Sequence, residues 1–435
     1  MSRSLLKNLA FGLLAAGILA MMVAMATGSR LNVHPDEMDH INAARYFIKY
    51  WDFPAMDDPR LTHTFSNYGI SYLQQLDIVY FFAGKFASLI LPLAGQDYIA
   101  LRFFDIFLFA VLMALFLRLP DDRKIAFVPL FITPQVWYVF SYFNGDAFPT
   151  FLTFCMVYLT ARLDPPVSPR LLSIRDKNTR RLLYMGLLLG LVCISKQNFY
   201  VFAAFTLAFF GVCGLHTHDM GASAKNAAVV FLLAIALFGA RWGHNVFLNR
   251  TVRPEVPTQN AEKYAREDYK PSAQEAGTQF WGLRMRDQGL SYPQLFTVWT
   301  WHIWSFRTSF GVYDYMKIYA PYIYYRYMGY LLWTLMGALA LALVMHGGRG
   351  GTTGVLVFLA FAALTVFQST WHSWTSDFQA QGRYLFPIGA MAGMMLARFA
   401  PAANRTLPVT LPLALAMCAM SIYSFLWVGL AHIPR

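Results

Sequence analysis

Long apolar runs separated by short polar segments make up most of this chain. About 20 apolar residues suffice for a helix to cross a bilayer, and eleven runs approach or reach that length. They cover residues 6–27, 98–118, 125–142, 146–163, 182–195, 198–215, 226–248, 322–345, 352–370, 384–399 and 407–430. The pattern predicts an all-α polytopic membrane protein that forms one integral-membrane domain over residues 1–435.

A further apolar run, residues 68–94, is harder to place. It contains the polar residues Gln74, Gln75, Asp77 and Lys85. Polar groups are costly inside lipid, so we expect this run to lie at the membrane interface, within a first outer loop over residues 28–97. If the run crosses instead, the number of spans becomes twelve. In the same loop, residues 36–51 suit an amphipathic interfacial helix, with Asp36 available to cap its start.

Composition and charge indicate how the chain lies in the membrane. It is 57% hydrophobic and only 13% charged, with a net charge of +12. The basic residues are spread over loops between apolar runs, which is typical of the positive-inside bias and not of a nucleic-acid partner. Arg3 and Lys7 precede the first run, so we expect a cytoplasmic N-terminus. Four polar segments and a large loop then fall on the outer face: residues 34–40, 144–146, 196–198, 377–383 and 249–321.

The first outer segment, His34–His40, holds three carboxylates and two imidazoles within seven residues. Asp36 and His40 stand one helical turn apart and share a face, so they are candidate ligands of a divalent cation. Alternatively, Asp36 or Glu37 accepts a proton from a hydroxyl nucleophile. A third interpretation is purely structural, because Asp36 is a favoured helix cap.

Asp146 and Lys196 are candidate site residues from two other outer segments. Asp146 is either the cap of a returning helix or a second carboxylate that faces the first. Lys196 interrupts an apolar stretch and is either a snorkelling interface residue or a contact to phosphate.

The remaining candidates lie in the large outer loop and near the C-terminus. Arg307 stands among tryptophans, which suits an aromatic belt or a phosphate site. Arg383 follows a glycine at the start of an apolar run, between Gln381 and Tyr384. It is either an interfacial anchor or a bidentate phosphate clamp.

Taken together, these motifs resemble a known superfamily. Its members carry a carboxylate pair just after the first span and a further Asp about a hundred residues on. The match consists of Pro35-Asp36-Glu37 with His40, Asn144 with Asp146, Phe306–Gly311, and Gln381–Pro387. It resembles the GT-C superfamily of polyprenyl-linked glycosyltransferases, and more closely an uncharacterised bacterial family with a Pro-Asp-Glu motif and a C-terminal QGRYLFP motif. Gly145 stands where that family usually has proline.

The resemblance implies a glycosyltransferase of the cell inner membrane. It would move a sugar from a polyprenyl-phosphate carrier to an acceptor hydroxyl of a glycan, lipid or protein on the outer side. Asp36 or Glu37 would be the base, and Asp146 would support a metal or orient the acceptor. A divalent cation would bind at Asp36 and His40. The substrate and its leaving phosphate would be held by Lys196, Arg307, Gln381, Arg383 and Tyr384.

Two other functions stay open from the sequence. A transporter or flippase of lipid-linked saccharides predicts carboxylates deep within spans and internal pseudo-symmetry, whereas the candidate site residues named above stand at the ends of runs or in loops. A non-catalytic subunit of an envelope complex predicts that the outer polar segments tolerate substitution.

Overall fold

Helices dominate the computed structural model, which describes residues 3–163, 175–275 and 282–435. The first ten α-helices are α1 (Arg3–Gly28), α2 (Glu37–Lys49), α3 (Val79–Ala94), α4 (Asp97–Leu117), α5 (Val128–Phe131), α6 (Pro134–Val139), α7 (Ala147–Arg162), α8 (Lys177–Cys193), α9 (Tyr200–Thr217) and α10 (Met220–Leu248). They are followed by α11 (Val256–Tyr264), α12 (Pro271–Glu275), α13 (Gln294–Thr297), α14 (Trp301–Gly311), α15 (Tyr322–His346), α16 (Gly348–Thr375), α17 (Phe386–Arg398), α18 (Ala400–Ala403) and α19 (Leu407–Tyr423).

Short elements connect these helices. Strands β1 (Val312–Tyr313) and β2 (Ile318–Tyr319) form an antiparallel hairpin. A π-helix, Ser424–Leu430, continues α19. The 3-10 helices are Pro59–His63, Tyr72–Gln74, Asp121–Phe127, Gln197–Phe199, Glu267–Tyr269, Gly382–Leu385 and Asn404–Thr406. The all-α polytopic class predicted from the sequence is therefore confirmed.

Seven helical segments in the described part of the chain are long and apolar enough to cross a membrane. They are Lys7–Gly28, Asp97–Leu117, Gln197–Thr217, Met220–Leu248, Tyr322–His346, Gly348–Thr375 and Ala400–Leu430. Each overlaps one of the eleven predicted spans. Three other predicted spans form shorter helices, α7, α8 and α17, of 16, 17 and 13 residues. Helix length alone thus supports seven of the eleven spans.

The predicted span 125–142 is wrong as a continuous helix. It is divided among the end of a 3-10 helix, α5, α6 and a final turn. Pro129 and Pro134 each stand in the first turn of a short helix. Proline has no backbone N–H to donate to a carbonyl of the preceding helical turn. It also disfavours helical φ and ψ angles at the residue before it. Thr133 accordingly has an extended backbone, with φ −121° and ψ 96°.

The helix predicted over residues 36–51 forms as α2, while its interfacial position stays a prediction. Its expected cap is wrong. Asp36 precedes α2 with a left-handed backbone (φ 60°), and its side chain makes no capping hydrogen bond. Few non-glycine residues adopt this conformation, although aspartate does so more readily than most. The carboxylate is thereby free to face another part of the protein. Helix α3 covers 16 residues of the run 68–94, and its interfacial position stays a prediction.

The predicted large outer loop, residues 249–321, contains α11 to α14 and the hairpin within its described part. Within this loop, the chain after Gly282 folds back along the end of α16. The backbone N–H of Arg284 donates to the carbonyl of Ser376, and Leu283 pairs with Asp377. This segment forms one side of the cavity that holds most of the candidate residues.

Candidate functional site

A polar cavity of about 880 Å³ lies where several of the predicted outer segments meet. Its lining comes from the predicted first outer loop, the turn around residues 196–198, the end of α16 and the segment 377–384. Of the predicted site residues, Asp36, His40, Lys196, Arg383 and Tyr384 line it. Residues that are hundreds of positions apart in the sequence therefore share one polar space.

Asp36 and Arg383, which both line this cavity, form an ion pair. The Nη2 of Arg383 donates to Oδ2 of Asp36, across 347 residues of sequence. The Arg383 side chain is almost fully buried, while that of Asp36 is 30% exposed. Burial alone would raise the pKa of the Asp36 carboxyl, but the guanidinium of Arg383 beside it lowers this pKa below the ordinary value. Asp36 is therefore a carboxylate that faces the cavity.

Asp146 and Lys196 form a second ion pair next to the first. Nζ of Lys196 lies 2.7 Å from Oδ1 of the fully buried Asp146. The other oxygen, Oδ2, lies 3.7 Å from Nε of Arg383. Neither of these two atoms has a hydrogen-bond partner within the described residues. Buried polar atoms of this kind are normally paired with a ligand or a water molecule. Arg383 therefore lies between the carboxylates of Asp36 and Asp146 and can still donate a hydrogen bond through Nε.

Asn144, and not Asp146, caps the helix that begins here. Its Oδ1 accepts hydrogen bonds from the backbone N–H groups of Asp146 and Ala147. The side chain of Asp146 makes no capping bond. Of the two interpretations of Asp146, the helix cap is therefore wrong, and its carboxylate is available for Lys196.

His40 is buried, and its Nδ1 shares a 2.7 Å hydrogen bond with the hydroxyl of Tyr80. Burial and the nearby Lys196 lower the pKa of His40 to about 3, so its imidazole is neutral. Within the described ranges, no group of three His, Cys, Asp or Glu side chains is arranged to hold a metal ion. Asp36 and His40 thus do not form a complete protein-ligated metal site, and the divalent cation stays a prediction.

Glu37 lies outside the polar cavity. It is fully buried, and Arg102 donates to both of its oxygens, at 2.7 and 3.0 Å. The guanidinium of Arg102 also donates to the backbone carbonyls of Ala26, Ser29 and Arg30. Glu37 is therefore held in an ion pair that fixes the end of α1 to the start of α2. Sequence reasoning overlooked Arg102, although an arginine inside an apolar run is a signal in itself.

Arg307 also lies away from the polar cavity. Its guanidinium packs over the rings of Trp304, Tyr322 and Tyr325, at 5.6 to 5.9 Å from their centroids. This surrounding matches the aromatic belt that was one of its two interpretations.

Gln379 lines the cavity, whereas the predicted site residue Gln381 does not. The hydroxyl of Tyr384 donates to Oε1 of Gln379. Its Nε2 donates to the hydroxyl of Tyr68 and to Oδ2 of Asp377, at 3.1 and 2.9 Å. Tyr68 in turn donates to Asp377 at 3.0 Å. This network joins the first outer loop to the C-terminal motif, and no local sequence signal pointed to Tyr68.

A second cavity, of about 470 Å³, is almost entirely apolar. Side chains of α15, α16 and α17 line it, together with the segment 128–136. The 3-10 helix Gly382–Leu385 separates the two cavities. Its outer residues, Gly382 and Leu385, line the apolar cavity, and its middle residues, Arg383 and Tyr384, line the polar one.

Comparisons with known proteins support the fold. No family model matches the sequence, and no curated protein matches it. A solved structure that is similar is the crystal structure of ArnT from Cupriavidus metallidurans in the apo state, with a TM-score of 0.51 and 15% identity. The match covers 92% of this chain and 60% of ArnT, so the chain spans about 60% of the length of that protein. The GT-C-like fold expected from the motifs is confirmed, and the narrower family stays a prediction.

Proposed function

We propose that this chain, with its GT-C-like fold, is a glycosyltransferase that moves a sugar from a polyprenyl-phosphate carrier to an acceptor hydroxyl on the outer side of the cell membrane. The position of Arg383 carries the proposal. Its guanidinium lies beside the carboxylates of Asp36 and Asp146, in the helical turn that separates a polar from an apolar cavity. A lipid with a phosphate between its apolar chain and its sugar matches this division.

The carrier's two ends would use different cavities. The apolar cavity, between α15, α16 and α17, suits a polyprenyl chain. Arg383 and Lys196 supply the positive charge that holds the phosphate, with arginine suited to bidentate contact. As the bond between the sugar and the phosphate breaks, negative charge grows on the phosphate oxygens. Two cations held in place beforehand stabilise that charge without reorganising.

Asp36 is the base that we assign to the reaction. It accepts the proton of the acceptor hydroxyl while that oxygen attacks the anomeric carbon of the donor sugar. The bond from this carbon to the phosphate oxygen breaks, and its electron pair leaves with the carrier phosphate. A phosphate that engages Arg383 weakens the contact that lowers the pKa of Asp36, which brings this carboxylate closer to the optimum for a general base.

Asp146 holds Lys196 in position and is not itself assigned to proton transfer. Its buried carboxylate balances the charge of Lys196 at 2.7 Å when no phosphate is bound. Glu37 is not the base in this scheme, because both of its oxygens are bound by Arg102.

The proposal is tested in a strain that lacks this chain and whose surface glycans are profiled by mass spectrometry. Complementation with Asp36→Ala or Arg383→Ala is expected to leave the glycan unmodified, at normal protein levels in the membrane. The matched controls are Asp57→Ala and Arg326→Ala, two exposed residues that are expected to restore full modification. If both cavity variants restore it as well, the assignment fails.

A further inference from the structure

One part of the polar cavity carries side chains that the proposed transfer does not use. Asp77, Asn198 and Gln368 all line it. Both polar atoms of the Asn198 amide are buried and have no hydrogen-bond partner within the described residues, and the same holds for Oε1 of Gln368. A buried polar group left unpaired costs roughly 1–3 kcal/mol. These amides therefore have unused hydrogen-bonding capacity at a cavity wall.

Hydrogen bonds between three separate segments hold this wall together. The backbone N–H of Ile78 donates to the carbonyl of Ile194 at 3.0 Å, which ties the segment of Asp77 to the turn that carries Lys196. Nε2 of Gln368 reaches the carbonyl of Gln197 at 3.5 Å, which brings α16 to the same turn. The wall is thus assembled from tertiary contacts beside one of the two phosphate-binding cations.

The chemistry of these groups favours an uncharged ligand rich in hydroxyls. An amide both donates and accepts, and a carboxylate accepts, so together they match several hydroxyl groups of a sugar ring. Burial raises the pKa of Asp77 to about 7, although Lys196 opposes this shift. An anionic ligand at this wall would lie next to the carboxyl group of Asp77, which favours an uncharged ligand. Trp371 stands three residues after Gln368 on α16, also lines the cavity, and offers an aromatic face on the same side of the helix.

We infer that Asp77, Asn198 and Gln368 form the subsite that binds the hydroxyl groups of the donor's sugar and selects which sugar is transferred. The inference rests on the proposed function, since the neighbouring Lys196 places this subsite next to the carrier phosphate. Sites built to hydrogen-bond a substrate hydroxyl reject analogues that lack or misplace it, because their own polar groups are then left unpaired.

The test uses the purified full-length chain in detergent and measures its affinity for four lipids. The probes are undecaprenyl phosphate and the same lipid carrying glucose, mannose or arabinose. The wild-type chain is expected to bind at least one sugar-bearing lipid about tenfold more tightly than undecaprenyl phosphate, which corresponds to one or two hydrogen bonds.

Variants then assign that preference to the wall. Asn198→Leu and Gln368→Leu are expected to lose most of the tenfold preference while they keep the wild-type affinity for undecaprenyl phosphate. Asn198→Asp serves as a second variant of unchanged size, and melting curves check that each variant is folded. Gln96→Leu, at an exposed glutamine outside the cavity, is the matched control and should keep the preference.

The possible outcomes distinguish a failure of the sugar subsite from a failure of the proposed glycosyltransferase function. If the folded variants keep the preference, or if the wild-type chain binds all four lipids equally well, the subsite is wrong while the phosphate-binding role stands. If the wild-type chain binds none of the four lipids, the proposed function itself is contradicted.

Discussion

Asp36 and Glu37 are neighbours of the same chemical type, yet their surroundings give them different roles. Asp36 faces a polar cavity and pairs with Arg383. Glu37 is fully buried and pairs with Arg102. Asp36 is the last residue before α2 and has a left-handed backbone, whereas Glu37 is the first residue of the helix. This change of backbone conformation accompanies the difference in surroundings of the two side chains. The sequence left open which of the two would be the base, and this difference in surroundings supports the proposal of Asp36.

Replacement of Glu37 by Gln should therefore affect stability more than chemistry. Removal of one partner of a buried ion pair leaves the other charge uncompensated, which typically costs 3–5 kcal/mol. We expect a clearly lower melting temperature but near-normal turnover per folded molecule. Asp97→Asn is the control, because its pair with Arg45 is partly exposed and such pairs contribute at most about 1 kcal/mol. A Glu37→Gln protein that melts normally but is inactive would speak for Glu37 as the base.

Asp77 gives a prediction on pH. Its pKa is raised to about 7 by burial, with Asp146 adding to the shift and Lys196 and Arg241 opposing it. Between about pH 4 and 7 the folded chain holds a proton that the unfolded chain releases, so this residue lowers stability as pH rises through that window. Asp77→Asn should thus stabilise the protein at pH 8 relative to pH 5, by on the order of 2 kcal/mol.

Melting curves at the two pH values measure this effect. Asp57→Asn, at an exposed position, should leave the pH dependence of stability unchanged. An Asp77→Asn protein whose melting temperature follows that of the wild type at both pH values would show that Asp77 ionises normally in the folded state.

At the scale of elements, the short 3-10 helix Gly382–Leu385 matters most, since it divides the two cavities. It lies directly against α14. A Cβ atom at Gly382 would lie 2.6 Å from the backbone N and Cα of Ser309, closer than real side chains approach. Glycine is therefore needed for the close contact that positions Arg383.

Replacement of Gly382 by Ala should push this element away from α14. Because a shift of about 1 Å can cost 100-fold in rate, we expect transfer activity to fall by at least tenfold, together with a lower melting temperature. The comparison is Gly239→Ala in α10, where a Cβ would meet nothing within 4 Å. That change should leave activity intact and slightly stabilise the helix. Equal activity of the two variants would contradict the role given to this contact.

At the scale of the whole molecule, the two cavities together suit an amphiphilic substrate. The apolar cavity extends along α15, α16 and α17 from the turn that carries Arg383. Neither cavity by itself distinguishes a lipid-linked donor from other ligands. The two cavities adjoin at the 3-10 helix that carries Arg383. This arrangement is what favours a substrate with a phosphate between an apolar and a polar part.

Filling of the apolar cavity should discriminate among donors by chain length. Ala392 lines this cavity, and Ala392→Phe would occupy part of the space for a polyprenyl chain. We expect transfer from a donor with an undecaprenyl chain to fall at least tenfold, and transfer from a donor with a ten-carbon chain to change little. Ala416→Phe, on an exposed part of α19, is the control. A parallel loss for both donors would indicate general damage to the fold.

The all-α class and the identity of most candidate residues were determined by the sequence alone. Hydropathy is a local property, so runs such as 322–345 and the amphipathic pattern of α2 predict helices directly. The same local view failed for 125–142, where average hydropathy outweighed the two prolines that divide the run.

Only the tertiary structure decided which of these residues meet. The pairing of Asp36 with Arg383 bridges 347 residues, and no local pattern carries information across that distance. The same limit explains why Arg307 stayed a candidate for the phosphate site and why Asp77, Asn198 and Gln368 were not predicted as site residues. Hydropathy predicts whether a side chain is buried, whereas its chemical role depends on the partners that the folded chain brings to it.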